Sequence, residues 1–235
     1  TGEALFAATQ DLERAIGRVG EHVADRRVAS RGLLRVSADS AAHAIPILAA
    51  MKEETANLAF SIRIDNSPAV LAHVLDEQAD VGVMAKSTND PRLHAVRIRD
   101  DRLVLLVSTT HAWAERRRVR LAELRGRDVV MREQGSITRE VIEQQLGRAK
   151  VSLGQVFEVE TREAVREAVA AGFGVGVVFA SEAGSDVRVS AIEIADAGLG
   201  VSEYAVCRAD RRHLPLVSAF LSTARRLAGA KGWLG

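Results

Sequence analysis

The sequence predicts an α/β fold built from two similar halves. Three observations carry this. Strand-like runs of five or six residues alternate with helix-like runs of ten or more, the spacing of right-handed βαβ units on a mostly parallel sheet. After three such strands the chain passes through one long apolar strand and the pattern restarts. No low-complexity segment or long linker separates the two halves.

The elements follow in order. Residues 5–28 read as a long amphipathic helix, with Leu5, Leu12, Ile16, Val19 and Val23 at helical spacing and charged residues between them. Such a stripe asks for a partner, as in a coiled-coil-like arm, or packs on its own domain. LLRVSA (33–38) is the first strand, followed by a helix through IPILAAMKEETA. FSIRI (60–64) is the second, followed by the helix SPAVLAHVLDEQA, and VGVMA (81–85) is the third. VRIRDDRLVLLVSTTHA (96–112) gives the long strand. The second half brings a strand at 128–133, a helix at 137–149, a strand at 156–160, a helix at 162–172 and a strand at 175–180. A strand at 202–207 and an amphipathic helix at 214–228 close the chain.

Composition narrows the function. Charged residues make up 27% of the chain and the formal net charge is +1, so no overall basic field points to nucleic acid. The single cysteine, Cys207, has no partner for a disulfide or a thiol-pair redox motif, and its apolar setting in YAVC predicts a small buried residue in a reducing cytoplasm. No apolar run is long enough for a membrane helix and no signal-like start is seen. The chain opens at Thr1 rather than methionine, which suggests a fragment.

The run AGFGVGVVFA places Gly172, Gly174 and Gly176 at alternate positions. It is not a dinucleotide loop: Val177 stands where G-x-G-x-x-G requires glycine, and helix precedes strand, so no helix N-terminus faces the loop. Gly172 reads as a helix stop, and Gly174 and Gly176 let a buried strand run close to its neighbours.

In open α/β sheets, ligands bind beyond the carboxyl ends of the strands, against helix N-termini. The strand-to-helix turns here carry Asp39-Ser40, Asn66-Ser67, Gly135-Ser136-Ile137-Thr138 and Thr161. All are good N-cap types, and Ser67-Pro68 reads as a cap followed by a first-turn proline, so capping alone accounts for any one of them. As a group facing one cleft they would favour a small anion, with 135–138 the best single candidate. His43 could enter that cleft as a donor or stand solvated on its helix. Catalytic patterns are absent: QGSIT is not a nucleophile elbow, and the six histidines show no metal-ligand spacing. No catalytic residue, metal or cofactor is assigned. The basic run ERRRVR (115–120) lacks interleaved aromatics and reads as a solvated loop.

The order of these phrases resembles the effector-binding region of LysR-type transcriptional regulators. TGEALFAATQDLERAIG looks like the tail of their DNA-binding domain running into the linker helix. RGLLRVSADSAAHAIPILAAM, QADVGVMAKSTNDPRL, LVLLVSTTHAWAERRRVRLAELRGRDVVMRE and EAVREAVAAGFGVGVVFASEA are similar to successive family phrases over nearly the whole chain. The resemblance implies a fold like type 2 periplasmic binding proteins, two α/β subdomains with a cleft between them, preceded by a long linker helix. It implies a linker over 1–30, subdomain I over 31–109 and 205–235, and subdomain II over 110–204. Carried over by position, effector contacts come from Ala38, Asp39, Ser40, His43, Asn66, Ser67, Gly135, Ser136, Thr138, Thr161 and Arg162. It also implies a homodimer or tetramer, DNA binding only through an N-terminal domain not in this chain, and no membrane. REQGSITREVIE, ETREAVREAVAAG and EYAVC are similar to regulators associated with 2-aminoethylphosphonate catabolism, which implies a phosphonate effector with Asp39 or Glu163 facing its ammonium. Two other readings stay open: a solute-binding protein of a transporter with the same fold, and, last, an enzyme acting on an anionic metabolite.

Overall fold

The computed structural model describes residues 32–229 apart from 56 and 87, and the helix expected over 5–28 lies outside the described residues. In chain order the elements are β1 (Leu33–Ala38), α1 (Ala41–Glu54), β2 (Ala59–Ile64), α2 (Ser67–Leu75), β3 (Val81–Ala85), β4 (Leu93–Ser108) and β5 (Arg118–Val119). There follow β6 (Val129–Arg132), α3 (Ile137–Ala149), β7 (Val156–Val159), α4 (Arg162–Ala170), β8 (Val175–Phe179), β9 (Val189–Ile194), β10 (Gly200–Arg208) and α5 (Pro215–Ala228).

The strands join in the order β2-β1-β3-β10-β4-β8-β6-β7, with β9 beside β4 and β5. In each half three strands run parallel, β2-β1-β3 in one and β7-β6-β8 in the other. The two sets are joined by β4 and β10, which pair antiparallel from Leu93↔Arg208 to Arg102↔Gly200. Beyond Leu103 β4 leaves β10 and pairs with β8 and β9, so the long strands cross from one half to the other. The β4–β10 register shifts between Glu203 and Tyr204, at the crossing.

Each half has helices on both faces of its sheet, so the inner strands β3 and β8 are apolar and buried on both sides, while the edge strands β2 and β7 are largely exposed. Leu34, Ile47, Met51 and Phe220 build a core between the first sheet and α1 and α5, while Val70 and Val74 of α2 pack with Met84 of β3 on the other face. In the second half Leu105, Leu124, Ile142 and Phe179 form one core, and Leu106, Val165 and Val169 form the other. Alternate residues of β4 (Leu103, Leu105 and Val107 against Val104 and Leu106) divide between these two cores, as the two-residue strand period requires.

The glycine junction is as the sequence indicated. Gly172 takes φ +85 just after α4. At Gly174, φ +145, a β-carbon would lie 2.3 Å from the Asp128 carbonyl oxygen, and at Gly176 one would lie 2.6 Å from Val169 Cγ2. Cys207 is buried, and burial pushes its thiol up to about 11.

Several details depart from the sequence reading. Helix α2 ends at Leu75, short of residue 79, because Glu77 takes a left-handed φ of +60. Strand β4 begins at Leu93, and β5 and β9 were not anticipated. The run 115–120 is surface in character, with Arg116 paired to Glu123 and Arg118 to Glu193, but Val119 is buried in β5. Among the described residues no helix is long and apolar enough to cross a membrane.

Candidate ligand-binding cleft

A cavity of about 780 Å³ opens between the halves at the carboxyl ends of their parallel strands. Three of the four strand-to-helix turns reach it. Ser40 and Asn66 line it from the first half, Thr161 and Arg162 from the second. Arg132, at the end of β6, and Arg166, one turn into α4, add two more guanidinium groups. The carboxylates on the wall are Asp65, Glu133, Glu160, Glu163 and Glu182. Much of this charge is already paired: Arg132 bonds Glu133 at 2.7 Å and Arg162 meets Glu182 at 2.5 Å. Nη1 of Arg132 is buried without a hydrogen-bond partner.

The sequence-predicted residues divide into two groups. Ser40, Asn66, Thr161 and Arg162 line the cavity, whereas Asp39, His43, Ser67, Gly135, Ser136 and Thr138 do not. Asn66 Oδ1 accepts from the Ala69 amide and Thr161 Oγ1 from the Ala164 amide, so both cap their helices. The capping pair is therefore Asn66 with the proline at the second helical position, not Ser67 with the proline at the first. Ser67 is inside the helix, and its hydroxyl donates to Asp39 instead. Ser40 and Ser136 occupy N-cap positions without a side-chain capping bond. Gly135 takes φ +91 and comes so near the first half that a β-carbon there would lie 3.6 Å from Asn66 Nδ2. Thr138 is buried and its hydroxyl has no hydrogen-bond partner. Ala38 is fully buried in β1.

His43 differs from both expectations. It neither enters the cavity nor meets solvent, being 1% exposed beneath the cleft floor. Its Nε2 lies 2.9 Å from Ser181 Oγ of the other half, and Asp39, Asp101 and Glu203 surround it at 3.9, 3.7 and 3.5 Å. Burial alone would lower its pKa, but the carboxylates of Asp101, Asp39, Glu203 and Glu182 outweigh burial and push it up to about 10. Glu203 is moved the same way. Burial first, then repulsion from Asp39, pushes its carboxyl up to about 8.

The sequence reading missed Arg132, Arg166, Glu182, Asp101 and Glu203. One signal was present for two of them: Arg132 and Glu203 are charges inside otherwise apolar strand runs, VVMR and VSEYAVC, and a charge on a buried strand needs a partner.

A family model described as LysR substrate binding domain matches residues 28–229. The HTH-type transcriptional activator CmpR of Synechocystis sp. is 21% identical over 179 residues, 75% of this chain and 59% of CmpR. The chain thus spans less than two thirds of that curated relative. Among solved structures, the CcmR regulatory domain of Synechocystis in complex with 2-PG superposes with TM-score 0.76 at 19% identity, covering 86% of this chain and 99% of that one. The effector-binding domain of QuiR in complex with shikimate gives 0.73 at 17% identity, covering 85% and 98%. These likenesses show the fold, two α/β units of the type 2 periplasmic-binding-protein kind. The curated relatives are transcriptional regulators, not transport proteins or enzymes.

Proposed function

We propose, because the chain belongs to the LysR substrate binding domain family, that its inter-half cavity is the sensing site for a small effector carrying an anionic group. The observation that carries this is Arg132, a cavity-lining guanidinium with a buried, unpartnered Nη1, set among helix N-termini that offer free N–H groups. The wall holds three guanidiniums against five carboxylates, so its field does not favour a bare polyanion. A zwitterion fits better, its anion on Arg132 and its ammonium on the carboxylate side, as in 2-aminoethylphosphonate. Relatives whose domains hold 2-PG or shikimate supply further candidates.

The sites named in the sequence belong to this reading as contacts (Ser40, Asn66, Thr161, Arg162) or as supports behind the wall (Asp39, Ser67, Gly135, Ser136, Thr138). Two subdomains, over 31–109 with 205–235 and over 110–204, change their angle on binding. In the full-length regulator a DNA-binding domain reads that change, as a cytoplasmic dimer or tetramer.

Thermal unfolding with a panel of 2-aminoethylphosphonate, phosphate, amino acids, 2-PG and shikimate tests it. A ligand at about 100 times its dissociation constant adds about 2.7 kcal/mol, roughly 5–10 °C for a domain this size. The shift should vanish in Arg132→Gln. A stabilising ligand that Arg132→Gln still binds with undiminished effect would overturn the site.

A further inference from the structure

Beneath the cavity floor three side chains aim one atom each at a common point. Asp39 Oδ1, His43 Nδ1 and Glu203 Oε2 lie within 4.8 Å of one another, in residues 4%, 1% and 1% exposed. None of the three atoms has a hydrogen-bond partner. The rest of each group near them is held from outside. Asp39 Oδ2 accepts from the Ser67 hydroxyl and the Ala85 amide, each at 2.7 Å. His43 Nε2 is 2.9 Å from Ser181 Oγ, and the Ser181 hydroxyl donates to Asp101.

That relay fixes a proton on Nε2. The Asp101 carboxylate only accepts, so the Ser181 hydrogen points to it, and the Ser181 oxygen accepts from Nε2–H of His43. Nδ1 then faces carboxylate oxygens at 3.5 Å (Glu203) and 3.9 Å (Asp39). Both distances are beyond a good hydrogen bond, so an N–H at that position would have no close acceptor. A metal ion taken up here would displace the proton on Nδ1, and the freed lone pair would then stand with the two carboxylate oxygens around one buried point.

We propose that Asp39, His43 and Glu203 form a binding site for a first-row divalent metal ion, with zinc as the type, at the root of the hinge. One imidazole nitrogen and two carboxylate oxygens are the ligand types such ions accept. Bonds of about 2.1 Å at tetrahedral angles place ligand atoms roughly 3.4 Å apart. Nδ1 and Oε2 already stand at 3.5 Å and Nδ1 and Oδ1 at 3.9 Å, and the ligand atoms all lie within 4.8 Å of one another, so the Asp39 carboxylate has to close on the ion. The outer contacts are those a metal ligand needs: a polar group fixes the far ring nitrogen, and hydrogen bonds orient the Asp39 carboxylate. The charge agrees. Asp39, Asp101, Glu182 and Glu203 surround the imidazole, with Arg162 facing three of them and Arg99 facing Asp101, so the carboxylates favour a cation at their centre, whether the proton on the ring or a metal ion that replaces it. Asp39 and His43 belong to the β1–α1 turn and α1, Glu203 to the crossing strand β10, and Ser181 to the other half. The ion therefore sits where the angle between the halves is set, which makes it a second input beside the effector.

The test strips the purified chain with a chelator and titrates it with Zn²⁺ and Co²⁺ by calorimetry, with Mg²⁺ for contrast. One ion per chain is expected, with visible Co²⁺ ligand-field absorption and an anomalous-scattering peak between the three side chains in crystals. Glu203→Gln and Asp39→Asn should each weaken Zn²⁺ at least about tenfold, with the circular dichroism spectrum retained. Absence of Zn²⁺ and Co²⁺ binding, an anomalous peak elsewhere, or equal affinity in a folded variant overturns the proposal. Should either variant fail to fold, the wild-type anomalous peak decides.

Discussion

At the residue scale, the buried polar atoms of the cleft separate what holds the fold from what waits for a ligand. Thr138 buries a hydroxyl that bonds to nothing. Removing such a group at constant shape restores about 1 kcal/mol or leaves stability unchanged, since no bond is lost and a desolvated hydroxyl is gone. Thr138→Val should therefore leave the unfolding midpoint level or raise it. Urea titration reads this, and a marked loss of stability would show that the hydroxyl already serves the fold. His43 and Glu203 supply a pH signature. Both hold their protons more tightly when folded, so the stability they contribute is complete below their ordinary values of 6.5 and 4.5 and is lost as pH rises through about 8 for Glu203 and about 10 for His43. With chelator present, the urea midpoint should fall between about pH 5 and pH 10, and Glu203→Gln should flatten the lower part of that window. A midpoint that rises over this range would contradict the assignment. The sequence disclosed Asp39 and His43 as neighbours on one turn, but not Glu203, because a contact between residues 43 and 203 depends on two strands crossing between halves.

At the element scale the chain was legible wherever its apolar period was clean. Strands β3 and β8 are fully apolar, β1 and β6 mostly so, and the sequence places all four within a residue or two, as it does α3 and α5 with their striped faces. Strand β9, VSAIEI, was missed because it is a half-exposed strand carrying serine and glutamate, and β5 because two residues show no period. The glycine junction between α4 and β8 was read correctly because glycine marks a backbone condition rather than a packing one. It yields a sharp expectation. Gly174→Ala places a β-carbon against the Asp128 backbone in a conformation that alanine rarely adopts, so it should destabilise by roughly 2 kcal/mol or more. Gly147→Ala, in the body of α3 with open space around it, should stabilise by up to about 1 kcal/mol. Chemical denaturation of the two variants checks the contrast, and equal effects would refute the close approach.

At the scale of the whole molecule, the two halves have separate cores and, among the described residues, share the crossing strands and a few cross-cleft contacts. One of these is an ion pair in which Lys86 of the first half meets Glu140 of α3 at 2.8 Å with both side chains more than 60% exposed. An exposed pair of this kind contributes little, with a median of about 0–1 kcal/mol, and cannot by itself hold the cleft shut. Beneath it, the His43–Ser181 bond and the approach of Gly135 to Asn66 place the halves close together. Few contacts thus hold the halves across the cleft, one of them a weak exposed pair, so ligand and metal ion should shift the angle between the halves. Spin labels at Lys86→Cys and Glu140→Cys report this directly, because the remaining thiol, Cys207, is buried and unreactive. Pulsed electron paramagnetic resonance should show a broad label-to-label distribution in chelator, narrowing to one short distance when a stabilising effector is added. Zn²⁺ alone should narrow it in the wild-type background and not in Glu203→Gln. A distribution that ignores an effector known to raise the unfolding midpoint would mean that ligand binding leaves the angle between the halves unchanged.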